Sequence, residues 1–107
     1  MNEDKILGDL ISFIRKEMNE FKGPINRGTL IEDDLGITGD EAAELIMNFS
    51  KKYNVDIHEF VFSNYFYDES AVFILSHEVK LPFNVGHLQK AIIAGRLDET
   101  VINNQEL

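Results

Sequence analysis

Three histidines are the first candidates for chemistry: His58, His77 and His87. Two imidazoles four residues apart would share a helix face and could grip zinc, and no two of these stand at that spacing. His58-Glu59 and His77-Glu78 begin as a metalloprotease helix motif does, yet neither is followed by the second histidine. Each imidazole is therefore expected at the surface or partly packed. The acidic residues Glu32, Asp33, Asp34, Asp40, Glu41 and Glu44 raise a second possibility, calcium. The frame from Asp33 to Glu44 has the length of a calcium loop, but Leu35 and Ile37 stand where oxygen ligands belong and Thr38 where glycine is needed. Dipole compensation and solubility explain these carboxylates better. With no Cys, thiolate catalysis, disulfides and Cys-ligated metals are excluded. No Gly-x-Ser-x-Gly turn and no phosphate-binding glycine loop is present, and Gly36 and Gly39 read as turn glycines. The expectation is a protein that is not an enzyme and holds no metal or cofactor.

Composition narrows the partner. A chain of 107 residues with 44% hydrophobic content fits one globular domain, 1–107. Its formal net charge of -9 repels nucleic acid and anionic membrane. The same charge favours solubility and a basic protein partner, and a solvated acidic surface with no specific partner is the competing reading. The N-terminal Met-Asn-Glu-Asp-Lys does not begin a signal peptide, and no apolar run reaches the ~18 residues of a membrane span. A cytoplasmic location is the expectation, with oligomeric state left open.

The elements that must position any site are mainly helical. Leu7, Ile11, Ile14, Met18 and Phe21 step by four and three, which predicts a helix over 4–21, stopped by Gly23-Pro24. Residues 23–37 read as a structured connection with Leu30, Ile31, Leu35 and Ile37 tucked onto the core. Thr38 and Glu41 form a capping box, opening a helix over 39–53 that carries Ala42, Leu45, Ile46, Phe49 and Tyr53 and ends at Asn54. Between 54 and 82 the pattern is mixed. Ser63 suits the cap of a short helical turn with Tyr65 and Phe66, and 71–75 reads as a short strand or a buried segment. The aromatic cluster Phe60, Phe62, Tyr65, Phe66, Tyr67 and Phe73 is either core or an adhesive surface. Asn84 caps a last helix over 84–95, with Phe83 and Leu88 as a hydrophobic staple and Gly95 as the stop. From Asp98 onward the tail is expected to fray. The predicted core is Leu7, Ile11, Ile14, Leu45, Phe49, Tyr53, Phe66, Leu88 and Ile92.

The stretch Asp34-Leu35-Gly36-Ile37-Thr38-Gly39-Asp40-Glu41-Ala42-Ala43-Glu44-Leu45-Ile46-Met47 resembles the recognition segment of acyl carrier proteins. That family reads Asp-Leu-Gly, two residues, Ser-Leu, and then Glu-Leu-Val-Met, and this chain keeps the spacing without a gap. Tyr53-Asn54-Val55-Asp56-Ile57 is similar to the family's exit from its second helix, and Phe83 to Ile92 to the start of its last one. The chain also resembles a small bacterial family of unknown function described as acyl-carrier-like. The resemblance implies a carrier-shaped four-helix bundle with a short or irregular third element. It also implies docking of a protein partner through helix two, with Glu41, Glu44 and Met47 as contacts. The competing roles are a helix cap for Glu41, simple solvation for Glu44 and core packing for Met47. The phosphopantetheine arm of a working carrier hangs on the serine that opens helix two. Gly39 holds that position and has no hydroxyl, so phosphopantetheine is not expected. Ser50-Lys51-Lys52 stands where carriers are acidic.

Three functions follow as expectations. The first is a non-enzymatic, unmodified carrier-like protein that binds or regulates a partner. The second is a genuine carrier modified at another hydroxyl, with Thr38 as the candidate. The third is an acidic inhibitor or immunity-type protein for a basic enzyme.

Overall fold

The computed structural model describes residues 3–37, 39–66 and 81–103. Among them the architecture is mainly α, with helices α1 (Glu3–Glu17), α2 (Gly39–Tyr53), α3 (Val85–Ala94) and α4 (Glu99–Asn103) and a single 3₁₀ turn, Phe62–Asn64. The possible strand at 71–75, Tyr67, Phe73, His77 and Thr38 lie outside the described residues.

α1 starts with Glu3 and Asp4 and finishes with Arg15 and Lys16, so its charges oppose the helix dipole at both ends. Leu10, Phe13 and Ile14 are buried, while the expected core residues Leu7 and Ile11 pack half-buried beside them. The helix ends at Glu17, four residues before the predicted 21. Asn19 and Glu20 take left-handed φ of 55° and 65°. The Glu20 N–H donates to Arg15 O at 2.8 Å and Asn19 N–H to Lys16 O at 3.3 Å, the paired closure of a Schellman motif. Asparagine tolerates that conformation, so Asn19 is the stop signal. The chain then folds back, and Arg15 Nη1 donates to the carbonyls of Phe21 and Gly23 at 2.8 and 2.7 Å. Gly23 serves close packing here: a Cβ on it would sit 2.6 Å from the Phe21 ring.

The connection to α2 is structured, as its apolar anchors predict. Ile31, Leu35 and Ile37 are buried and Leu30 is half-buried. Leu30 pairs with Asn84 in an antiparallel bridge, with Ile31 N–H donating to Phe83 O at 2.9 Å and Val85 N–H to Thr29 O at 3.0 Å. α2 buries Ala42, Leu45, Ile46 and Phe49, and Asn54 at φ 55° ends it where expected. Asp56 then pairs in parallel with Arg96, its N–H donating to Gly95 O at 3.0 Å.

Ser63 lies inside the 3₁₀ turn, and Val61 holds the cap position with no side-chain hydrogen bond. The expected serine cap is thereby corrected. Burying Tyr65 and Phe66 sets this turn. Phe83 is the hub of the aromatic cluster, with ring centroids 5.7 Å from Phe60, 5.5 Å from Tyr65 and 5.6 Å from Phe66. Tyr65, Phe66 and Phe83 are therefore core, and Phe60 and Phe62 pack half-buried against it. A second correction concerns the tail. α4 covers 99–103, and Val101 and Ile102 are buried. Asp98 starts it: Oδ1 accepts the Val101 N–H at 2.9 Å, and Oδ2 binds Arg96 Nε at 2.9 Å. α3 packs against both α4 and α1.

α3 begins with a reciprocal cap. Asn84 Oδ1 accepts the His87 N–H, and His87 Nδ1 accepts the Asn84 N–H, both at 3.0 Å. Burial, and then the charge of Lys90, push the His87 imidazole down to about 4. The unfolded chain, titrating near 6.5, takes up this proton first. Stability held above pH ~6.5 is therefore lost as pH falls towards ~4, by about 1–2 kcal/mol once partial exposure is allowed for. His87→Gln keeps a capping-box residue at this position and removes the titration. Urea midpoints at pH 7 and pH 4.5 should fall less for the variant than for the parent. Equal losses would show that His87 does not set this sensitivity.

Candidate functional site

The surface of α2 divides by its own periodicity. With Ala42, Leu45, Ile46 and Phe49 turned inward, Asp40, Glu41, Glu44, Met47, Lys51 and Lys52 are left in solvent. The acidic residues occupy the first turns and the lysines the last, which suits the helix dipole. Lys52 Nζ also lies 5.3 Å from the centre of the Tyr53 ring. Met47 is 53% exposed, so its alternative role as a packed core residue is wrong.

Glu41 and Glu44 are brought together in a cleft of about 250 Å³ where the end of α1 meets the start of α2. Glu17, Met18 and Asn19 from the α1 terminus line the opposite wall, with Ile37 and Leu45 beside them. Met47 does not line it. The α1 wall follows from the Schellman closure, which turns residues 18–20 out of the helix and across the entrance to α2. Glu17 Oε1 accepts Asn48 Nδ2 at 2.9 Å and ties the two helices at this edge. Farther along the same seam the Tyr53 hydroxyl donates to Asp9 Oδ2 at 2.5 Å. Burial, followed by the Asp9 hydrogen bond and charge, pushes the Tyr53 hydroxyl well above its ordinary range. It stays protonated and acts as a fixed donor.

Three carboxylates line this largely polar cleft, an arrangement that offers acceptors to a cationic group. A drug-sized ligand generally needs roughly 300–1,000 Å³, more than this cleft offers. Gly39 begins α2 with a φ of 59°. That left-handed value favours glycine and disfavours a side chain at the position matching the carrier serine. Among the described residues no cluster of three or more His, Cys, Asp or Glu is placed to hold a metal ion, and no helix is long and apolar enough to cross a membrane.

Residues 3–97 match the family described as "Protein of unknown function (DUF1493)". The chain belongs to the DUF1493 family. No curated protein and no solved structure is significantly similar to it. The family match supplies no acyl-carrier relationship, so that likeness rests on the residues quoted from the sequence. For this DUF1493 chain the sequence singled out one wall of the cleft, Glu41 and Glu44. It missed Glu17 and Asn19. Their signal was the asparagine at 19, which ends α1 early and carries the second wall into place.

Proposed function

We propose that this DUF1493 chain is a non-enzymatic, acyl-carrier-like binding protein that docks a basic protein partner through α2 and carries no phosphopantetheine arm. The cleft between α1 and α2 carries the reading: its three carboxylates offer acceptors to a lysine or arginine presented by a partner. Met47, exposed on the same helix, supplies an apolar contact next to it. Such a surface steers association by charge and gains residence from the small apolar area it covers. The glycine at 39 supports the missing arm, since neither its chemistry nor its φ suits a modified serine.

Intact-protein mass measurement on the chain isolated from its native host tests the unmodified state. The bare polypeptide mass, apart from loss of Met1, is the expected result. A mass raised by a phosphopantetheine arm would replace this reading with that of a carrier, and Thr38 would be the first hydroxyl to map. Gly39→Ser sharpens the point. A serine forced to a φ near 59° should cost about 1–2 kcal/mol in urea denaturation. Incubated with a phosphopantetheinyl transferase and coenzyme A, the variant should keep its mass. Efficient loading at residue 39 would mean that the start of α2 is a functional carrier site after all.

A further inference from the structure

A second cleft lies away from the face described above, where the 26–29 turn meets the start of α3. It encloses about 360 Å³ and is lined by Arg27, His87, Gln89, Lys90, Ile93 and Glu3, among others. Only 10 of the 107 residues are Lys or Arg, and two of them meet here in a chain of net charge -9. We propose that this cleft binds the phosphate or carboxylate group of a small organic anion.

The arginine is held in place from beneath. Arg27 Nε donates to Gln89 Oε1 at 2.9 Å, across 62 residues of sequence. Gln89 is 3% exposed. Its Nε2 donates to the Glu3 carbonyl at 2.9 Å, which fixes the amide so that the oxygen must face the guanidinium. The buried amide is thereby bonded at both its oxygen and its nitrogen, and it anchors the guanidinium at its Nε edge. Gly86 completes the seat: a Cβ there would lie 2.8 Å from Arg27 Cγ and 3.1 Å from Arg27 O. The backbone also joins these pieces, with the Gly86 N–H donating to Arg27 O at 2.7 Å.

With Nε engaged, the guanidinium keeps the N–H groups of its two Nη atoms for a planar or tetrahedral oxyanion. Lys90 adds a second positive charge. His87 is neutral at pH 7, and because Nδ1 accepts from Asn84, its proton sits on Nε2 as a further donor. The helix terminus itself offers little, since the N–H groups of Val85, Gly86 and His87 are already bonded to Thr29 O, Arg27 O and Asn84 Oδ1. Glu3 opposes an anion at the rim. The lining holds two cationic side chains against this one carboxylate, and screening over ~8 Å at physiological salt mutes more distant charge. Ile93, 39% exposed, gives the organic part of the ligand an apolar wall.

The test is an amide-shift titration of the intact chain with sodium phosphate and, separately, sodium hexanoate, at an ionic strength fixed with NaCl. Saturable shifts are expected at Gly28, Gly86, His87 and Gln89, with half-saturation on the order of 1 mM for at least one probe. Arg27→Gln should weaken it about tenfold, and Arg27→Gln with Lys90→Gln should remove saturation. Arg27 is exposed and Lys90 half-buried, and an unchanged spectrum elsewhere checks the fold. Saturation by phosphate alone assigns a phosphate ligand. Saturation by hexanoate alone, weakened by Ile93→Ser, assigns an aliphatic carboxylate. Shifts that stay linear for both probes, or that persist in the double variant, would overturn the proposal.

Discussion

Phe49→Ala is expected to cost about 3–5 kcal/mol of folding stability, the range for deleting a buried aromatic side chain. Phe49 is fully buried, and its ring centroid lies 6.4 Å from Phe13 and 5.3 Å from Tyr53. Phe13 and Tyr53 meet edge-on at 5.9 Å, so three rings close a triangle between α1 and α2. Among the described residues α3 runs close to both α4 and α1. The three rings thus tie α2 to α1. Removing one vertex leaves a void that can close only if the helices shift. That shift would strain the Tyr53–Asp9 hydrogen bond and the Asn48–Glu17 contact on the same seam. A domain of this size holds only about 5–15 kcal/mol in total, so the melting temperature should fall by roughly 15–30 °C. Phe49→Leu, which keeps most of the volume, should lose about 1–2 kcal/mol. A loss below ~1 kcal/mol for the alanine variant would mean that the aromatic triangle does not hold the two helices together.

The same seam shows what the sequence could and could not reveal. α2 was legible to the residue because three local signals agree: a stripe of period 3.6, acidic residues in the first turn and Asn54 after the last. α1 was read too long because its apolar stripe runs on through Met18 and Phe21. The pattern reports which side chains are buried, and Phe21 is indeed packed, but by a chain that has already turned back at Asn19. α4 was missed for the opposite reason. Five residues are too few for periodicity to show, although Asp98 followed by Val101 and Ile102 held the cap and the buried pair. Ser63 has the chemistry of a cap, but tertiary packing of Tyr65 and Phe66 decided where the turn falls. The two clefts differ in the same way. One wall of the acidic cleft is consecutive on α2 and could be read. The Arg27–Gln89 pair joins positions 62 residues apart, and no local rule foretells it.

Reversing two charges, Glu41→Lys with Glu44→Lys, is expected to weaken binding of a basic partner by about 100-fold. Both residues are exposed and line the cleft, so the substitution changes its electrostatics without opening the core. Glu41 also lies in the first turn of α2, and losing that dipole match costs the helix about 0.3–1 kcal/mol, well short of unfolding. Each lost carboxylate–cation contact is worth roughly 1–2 kcal/mol at a partly desolvated interface, and the introduced lysines add repulsion. Two such contacts reach the predicted factor, since ~1.4 kcal/mol is tenfold. Net charge alone would also slow association, so a matched control is needed. Asp33→Lys with Glu59→Lys makes the same change in total charge at two exposed residues outside the cleft. The partner is the protein retained by the wild-type chain from its native host, and dissociation constants are compared by titration at low and physiological salt. The cleft variant should lose nearly all affinity at both. The control should lose mainly the on-rate, and only at low salt, because distant charges act through a field that salt screens. If the two variants behave alike, the acidic surface acts as a diffuse attractor and docking through α2 is wrong. If the cleft variant alone fails, Glu41 and Glu44 touch the partner, and Glu17 on the facing helix becomes the next carboxylate whose reversal should matter.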